Sequence, residues 1–367
     1  MILAGRAKFA GADRTSLAMI DDEALSRRAP QGQRGQLRRD QELTLTVPHG
    51  ERTATVVLPE EFRYLGPGDI VRISPAEQFV RVLYRRTSPH NVLFFTENCN
   101  SRCLMCSQPP RDALDEHLIE DILAIIPWMD EATPALGITG GEPTLRHGKL
   151  AEVLATAKAH LPRTSIHLLS NGRMFVYPQF AAQLAAVGHP DFMIGVPLYG
   201  DTSATHDFIV QAKGAFDQTI RGLMNLGAAD VPVEIRIVIH RQSLPRLTSL
   251  CRFIARNLSF AGQIVLMGLE PTGYARSNWS ELWIDPASYQ DELGRAVEIL
   301  EAGGLTARLY NHPLCLVPDH LRHIAARSIS DWKKIFLAPC ASCSRRRECC
   351  GFFASAAMRH SLAVQPL

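Results

Sequence analysis

Three cysteines, Cys99, Cys103 and Cys106, stand in the spacing Cys-x3-Cys-x2-Cys. They follow the apolar run Val92-Leu93-Phe94-Phe95, which reads as a buried strand leading into a loop. Thiolates on so short a loop reach three corners of an iron–sulfur cube and leave the fourth iron without a protein ligand, whereas a [4Fe–4S] site ordinarily takes four cysteines. An open iron invites a chelating cofactor or substrate. Zinc is the competing ion, but its structural sites want a fourth Cys or His. The closest downstream histidine, His117, is remote from the loop in sequence.

A second stretch with chemistry in it is Thr139-Gly140-Gly141-Glu142-Pro143-Thr144. Two glycines let backbone come close to a ligand, and the Glu142 carboxylate can accept a bond from an ammonium group. A third is the C-terminal cysteine group: Cys315, then Cys340-x2-Cys343, then Cys349-Cys350. It offers four separated ligand positions, enough to saturate a second cluster or a zinc ion. Pro313 and Pro339 stiffen the approaches. Ser344-Arg345-Arg346-Arg347 either offsets the charge of a thiolate-ligated group or forms an exposed turn. Cys251 stands alone within a helical stretch and reads as a small buried hydrophobe.

The elements that must hold these residues alternate. Strands are expected at 91–96, 135–139, 165–169, 192–198, 233–239 and 264–267. Helices are expected between and after them, at 114–129, 147–160, 178–187, 214–226 and 244–258. Strands alternating with helices predict parallel β/α units, and in β/α barrels the chemistry gathers at the C-terminal ends of strands. The cysteine loop and the Gly-Gly-Glu-Pro turn both fall at such ends. Ser170-Asn171-Gly172 ends the third strand, and Tyr199 follows the fourth with His206-Asp207 shortly after. Beyond the sixth strand come a helix at 288–302 and a short strand at 305–310.

Ahead of this pattern, short strands at 43–47, 53–58, 70–73 and 79–84 predict a small β-rich module. Its task, as a lid, a docking surface or a peptide-binding edge, stays open. The stretch 27–40, rich in Arg, Gln and Gly, reads as an exposed loop, either a solvated linker or a contact strip for an acidic partner. The division is therefore 1–88 for the β-rich module with a flexible start, 89–284 for the barrel, and 285–367 for a C-terminal cluster-binding region.

The chain has 367 residues, of which 46% are hydrophobic, so it can bury a full core. A formal net charge of +2 makes no electrostatic case for nucleic acid or an anionic membrane. There is no apolar run long enough to span a bilayer, and the start lacks the apolar stretch of a secretory signal. Eight of the nine cysteines fall into the two ligand-like groups rather than a disulfide framework, which predicts a reduced, cytoplasmic setting.

Cys-x3-Cys-x2-Cys after a first strand, with Gly-Gly-Glu-Pro at the end of the second, resembles the radical S-adenosylmethionine (SAM) superfamily. The resemblance implies an α/β fold, a partial (β/α)6 TIM-like barrel. It implies a [4Fe–4S] cluster on Cys99, Cys103 and Cys106 whose open iron is chelated by SAM, which Gly140, Gly141 and Glu142 position. It further implies SAM contacts from Ser170 and Asn171, from Arg236 on the fifth strand, and from the backbone of Met105, where the family usually has an aromatic residue. The family's strand-six glycine motif is only partly present, as Gly262-Gln263-Ile264. Tyr199 is a candidate hydrogen donor to a substrate radical, or a packing residue at the barrel mouth. Auxiliary clusters after the barrel are common in relatives that modify peptides, so Cys315, Cys340, Cys343 and Cys349 are read as ligands of a second, auxiliary [4Fe–4S] cluster, with zinc as the alternative. Cys349 is favoured over Cys350 because Cys349-Cys350-Gly351-Phe352-Phe353 resembles a Cys-Gly-Gly-Phe-Phe pattern.

At finer grain, Thr96 through Pro110, Asn311-His312-Pro313-Leu314-Cys315, Ser328-Ile329-Ser330-Asp331-Trp332-Lys333 and the final cysteines resemble the HxsC-type maturase of the His-Xaa-Ser system, over about residues 85–355. That resemblance implies a peptide or protein substrate, an electron donor such as flavodoxin or ferredoxin, a second radical SAM maturase and a small helper protein. The other readings are a radical SAM enzyme acting on a small molecule or RNA base, and a non-catalytic iron–sulfur or zinc scaffold.

Overall fold

The computed structural model describes residues 3–22, 24, 25, 27–49 and 52–367; Met1 and Ile2, which belong to the start read for a signal, lie outside them. Strands β1 (Ala4–Arg6), β2 (Lys8–Ala10), β3 (Ser16–Ile20), β4 (Arg34–Arg39), β5 (Leu43–His49), β6 (Arg52–Leu58), β7 (Ile70–Ser74) and β8 (Phe79–Tyr84) make one sheet, ordered β1-β8-β7-β3-β4-β5-β6-β2. β1 pairs with β8 and β2 pairs with β6, and only Ala7 separates β1 from β2. The opening chain thus joins the two edges and wraps the sheet around Leu45, Val56, Phe62, Ile73 and Val80. Joined edges leave little unpaired backbone for strand addition.

The four strands expected in this region are β5 to β8. The expected loop at 27–40 is corrected: its second half is β4, paired antiparallel with β5. Gly35 makes this possible, because a Cβ there would sit 2.9 Å from both Leu45 and Val47. The arginines and glutamines that suggested a loop occupy a strand with a solvated face, which tolerates polar residues.

The second sheet holds seven parallel strands in sequence order: β9 (Asn91–Phe94), β10 (Ala135–Thr139), β11 (Ser165–Leu169), β12 (Phe192–Pro197), β13 (Val233–Ile239), β14 (Gln263–Gly268) and β15 (Ala307–Tyr310). Between them run α1 (Glu116–Ile125), α2 (His147–His160), α3 (Pro178–Val187), α4 (Ser203–Val210), α5 (Ala215–Ala228), α6 (Leu247–Asn257), α7 (Gly273–Ser277), α8 (Trp279–Leu282) and α9 (Gln290–Ala302). Sequential parallel pairing is what right-handed β/α crossovers produce. Helical spacing supplies the inner faces, as with Leu247, Leu250, Cys251 and Ile254 on α6, all buried. The six expected strands are present, and the short strand foreseen near 305–310 joins them as β15, parallel to β14. The sheet therefore runs on past residue 284.

The β-rich module is fastened to α1 and the turn after it. Arg86 pairs with Asp22 and Asp130, Arg72 pairs with Asp121, and the Tyr84 hydroxyl lies 2.7 Å from Thr133 Oγ1. On the barrel's open side, residues 325–333 run beside β15, with Ala326 N–H donating to Leu309 O at 2.8 Å and Asp331 pairing with Arg85 at 2.5 Å. That segment spans the gap between the last strand and the first.

Candidate active site

The cysteine loop leaves the C-terminal end of β9 and is clamped on three sides. The turn after β10 holds the first side. Gly141 N–H donates to Thr96 O, and Glu142 N–H to Asn98 O, each at 2.7 Å. A Cβ on Gly140 would lie 2.4 Å from Thr96 O, and one on Gly141 2.1 Å from Asn98 O. The glycines are thus required by the approach of two stretches of this chain, and the two sequence motifs form one unit. On the second side, Arg102 N–H and Leu104 N–H donate to Val210 O and Ile209 O at the end of α4. On the third, Tyr274 N–H donates to Cys106 O at 2.8 Å and Asn278 Nδ2 to Leu104 O at 2.9 Å. Gly273 has φ +56, and a Cβ on it would lie 2.4 Å from Cys106 O.

Cys99, Cys103 and Cys106 are half-buried free thiols. Cys103 feels the charge of both others. Burial pushes Cys99 up to about 11 and raises Cys103 and Cys106 as well. As free thiols all three are neutral at pH 7, so a cation that binds them displaces protons. The donor set, three adjacent thiols with no disulfide among them, suits a thiolate-ligated cluster with one open iron.

Glu142 is fully buried, and its carboxylate is already engaged. Oε1 accepts from Thr144 N–H at 3.0 Å, from Thr144 Oγ1, and from Ser170 Oγ at 2.8 Å; Oε2 accepts from Asn171 N–H at 2.6 Å. The side chain ties the end of β10 to the end of β11. Burial raises its pKa against those four bonds. Ser170 and Asn171 are accordingly drawn to Glu142. Asn171 Nδ2 reaches onward to Asn100 Oδ1 at 2.6 Å and lies 4.0 Å from Cys99 Sγ.

Met105 is buried against Tyr199, with Ile209, Ala275 and Leu282 around them. Tyr199 is 8% exposed, and its hydroxyl is raised first by burial and then by the charges of Cys103 and Cys106. Its ring lies 6.0 Å from His206 and 6.4 Å from His240. Tyr199 therefore packs behind the cysteine loop, close to the thiols. Asp207 orders its loop: it accepts from Gly214 N–H at 2.6 Å and Phe216 N–H at 2.7 Å at the start of α5. Arg236 points into the barrel, where Nε bonds the buried Glu234 carboxylate and the guanidinium lies 5.9 Å from the Tyr310 ring. His167, Arg236, Glu270, Tyr310, Arg327 and Lys333 help line a polar cavity of about 420 Å³ on the open side.

Two supports escaped the sequence reading. Arg173 donates to Asn100 O and to Ser101 Oγ at 3.0 Å, is itself oriented by Gln218 at 2.7 Å, and its charge favours the thiolate forms of Cys99 and Cys103. Asp115 Oδ2 accepts from Thr96 Oγ1, Glu97 N–H and Asn98 Nδ2 at 2.6–3.0 Å. Burial pushes the Asp115 carboxyl up, but those bonds and Arg146 more than offset it and hold it below the usual range. Arg173 stands one residue past Asn171-Gly172, and that adjacency was the available signal.

The C-terminal cysteines gather elsewhere. Cys315, Cys340, Cys343 and Cys349 line one cavity with Phe336 and Arg346. Cys349 accepts from Leu314 N–H and Gly351 N–H, each at 3.4 Å. A bond from the Cys350 thiol, working against burial, brings Cys349 down to about 6. Cys350 is 2% exposed and packs into a small core with Ile329 and Phe353. Four thiols without a disulfide suit a closed thiolate site, and the cavity walls are Cys349's rather than Cys350's. Among the described residues, no three metal-ligating side chains meet at the spacing of a single ion.

Residues 93–254 match the sequence model of the Radical SAM superfamily. The chain is 30% identical over 193 residues to mycofactocin maturase MftC of Mycolicibacterium smegmatis, covering 51% of this chain and 46% of that protein. It is 27% identical over 201 residues to the AdoMet-dependent heme synthase of Nitratidesulfovibrio vulgaris, covering 54% and 52%. The chain spans about half the length of these curated relatives. Among solved structures, Streptococcus suis SuiB bound to S-adenosylmethionine superposes at TM-score 0.49 with 15% identity, over 61% of this chain and 51% of that one.

Proposed function

We propose, from the premise that residues 93–254 form a radical SAM superfamily domain, that this chain is a radical SAM maturase of a ribosomally made peptide or protein. Cys99, Cys103 and Cys106 would hold a [4Fe–4S] cluster and leave one iron for SAM. With both bound and an electron supplied by a reductant such as flavodoxin or ferredoxin, the cluster would supply reductive cleavage of SAM to methionine and a 5′-deoxyadenosyl radical able to abstract a substrate hydrogen. The observation that carries this reading is the interlock of the cysteine loop with the turn after β10, closed by bonds of 2.7 Å from Gly141 and Glu142.

The chain's own residues do the positioning. Glu142 locks the turn to Ser170 and Asn171, and Arg173 holds the loop between Cys99 and Cys103 by Asn100 O. Met105 and Tyr199 form the apolar backing of the thiols, which keeps bulk water from that side. The polar cavity on the open side, near Arg236 and Tyr310, is the chamber for the substrate. The four-thiol cavity would hold an auxiliary [4Fe–4S] cluster on Cys315, Cys340, Cys343 and Cys349.

The HxsC-type assignment, with its His-Xaa-Ser substrate, second maturase and helper protein, is the finer form of the proposal. It is supported by the roles its motif residues take up. Asn311 adopts a left-handed backbone (φ +62) and is bonded by Ser328, and His312 is buried between Tyr289 and Tyr310 O at 2.9 Å each. A second reading, action on a small molecule, is favoured by the heme synthase match over a similar share of the chain.

The test is anaerobic reconstitution followed by iron, sulfide and Mössbauer analysis of wild type and of a C99A/C103A/C106A variant, with SAM and dithionite added. About eight irons against about four, with 5′-deoxyadenosine from wild type alone, supports a two-cluster enzyme. Zinc retained in the variant makes the C-terminal site structural. Deoxyadenosine formation stimulated by a His-Xaa-Ser peptide but not by a porphyrin supports the maturase; the reverse pattern moves the assignment to the small-molecule reading.

A further inference from the structure

The stretch Ser361–Leu367 has no regular secondary structure, yet it lies across the four-cysteine cavity. Gln365 and Leu367 are part of the cavity wall. Gln365 N–H bonds the Cys315 sulfur, and Leu367 N–H reaches Cys343 Sγ at 3.5 Å. The stretch is itself pinned: Ser344 donates to Leu367 O from its N–H at 2.9 Å and from its hydroxyl at 2.7 Å. The other two sulfurs have backbone donors from outside this stretch, Leu337 for Cys340 and both Leu314 and Gly351 for Cys349. All four sulfurs thus have an amide aimed at them, and two of the four positions depend on this one stretch.

We propose that Ser361–Leu367 is a strap that closes the C-terminal cysteine site and, through the Gln365 and Leu367 amides, holds the cluster bound there at a higher reduction potential than its thiolates alone would set. The inference rests on the auxiliary-cluster reading above. The physical reason is that an N–H···S bond stabilises the more negative, reduced cluster more than the oxidised one, and hydrogen bonds to sulfur are a main determinant of cluster potential. Arg346, beside the same cavity, acts in the same direction. A raised potential suits a site that takes up an electron.

Proline deletes an amide donor while leaving the sulfur ligands in place. In the full-length C99A/C103A/C106A background, where only the C-terminal site carries iron, the midpoint potential is measured by EPR-monitored titration for the parent, Q365P/L367P and Q365A. The proline pair is expected to shift the potential downward, and Q365A, which keeps its N–H, to leave it unchanged. Equal potentials in parent and proline pair overturn the tuning role. If the background protein holds zinc and no iron–sulfur cluster, the auxiliary-cluster reading has failed and the tuning proposal falls with it.

The closing role has its own readout, independent of any bound group. In metal-free protein with all cysteines intact, alkylation of Cys315 and Cys343 is expected to run several-fold faster in Q365P/L367P than in wild type, with Cys99 unchanged as the internal reference. Equal rates at Cys315 and Cys343 overturn the strap; a general acceleration that includes Cys99 reports loss of the fold, and Q365G/L367G, which loosens the strap without proline, then decides.

Discussion

At the scale of single residues, the candidate site depends on side chains that hold other groups in place. Glu142 is the clearest: one buried carboxylate gathers Thr144, Ser170 and Asn171. Glu142→Gln keeps the shape but sets an NH2 donor against a donor, leaving buried groups unpaired. The expected cost is about 1–3 kcal/mol, read by urea unfolding, with a matching fall in iron loading; unchanged stability would show that the clasp does not bind. Arg173→Ala removes the bonds to Asn100 O and Ser101 Oγ. It is expected to lower SAM cleavage about tenfold, the equivalent of about 1.4 kcal/mol, with Arg173→Lys recovering part of it. If the alanine variant matches wild type in deoxyadenosine yield and cluster spectrum, the arginine is only a surface clamp. The thiols were legible from spacing alone. The supports were not, because Glu142 and Asn171 meet across strands 29 residues apart in sequence.

At the scale of elements, the interlock of two loops decides the geometry. Gly141→Ala places a Cβ 2.1 Å from Asn98 O, a backbone atom that has little room to yield. Overpacking of that kind costs about 1–3 kcal/mol, and here it moves the loop that carries Cys99. The expected outcome is at least a tenfold drop in SAM cleavage with the far-UV spectrum intact; wild-type turnover would mean that the two loops are not coupled. The Gly-Gly signal was read as room for a ligand, and the structure uses it first as room for a neighbouring backbone. The barrel strands and β5 to β8 were recovered from apolar runs and their spacing, whereas β1 to β3 were not foreseen. Nor was β4, because its outward side chains are polar and its inward face offers only Gly35 and the half-buried Leu37, too little for a hydrophobic alternation.

For the whole molecule, burial of neutral histidines predicts acid sensitivity. His206, His240 and His312 are at most 2% exposed, and burial lowers each to about 4. The unfolded chain, with histidines near 6.5, takes up protons first as pH falls. The stability these groups contribute is therefore complete above about pH 6.5 and is lost progressively toward pH 4. From pH 7 to pH 5 each is expected to cost about 1–2 kcal/mol, read as a falling denaturation midpoint. His312→Gln, which keeps a partner for Tyr289 without a titrating ring, is expected to flatten that slope, and an unchanged slope would assign the loss to other groups. The β-rich module and barrel are joined by Arg86 with Asp22 and Asp130; Arg86→Ala is expected to expose the joint to limited proteolysis near residues 85–90.

The sequence by itself determined the chemistry and the chain-order architecture. Cysteine spacing specifies a three-thiol site, and the alternation of apolar runs specifies parallel β/α units, because both are local patterns whose meaning survives without knowing what lies opposite. Tertiary structure alone decided who touches whom. It gathered Cys315, Cys340, Cys343 and Cys349, the last already favoured by the sequence pattern, around one cavity and packed Cys350 into a core with Ile329 and Phe353. It set Arg236 against the Tyr310 ring inside the barrel, added β15 to the sheet, and joined β1 and β2 to opposite edges of the N-terminal module. Each of these is a contact between residues brought together by packing rather than by sequence, and contacts of that kind leave no periodic trace in the chain that makes them.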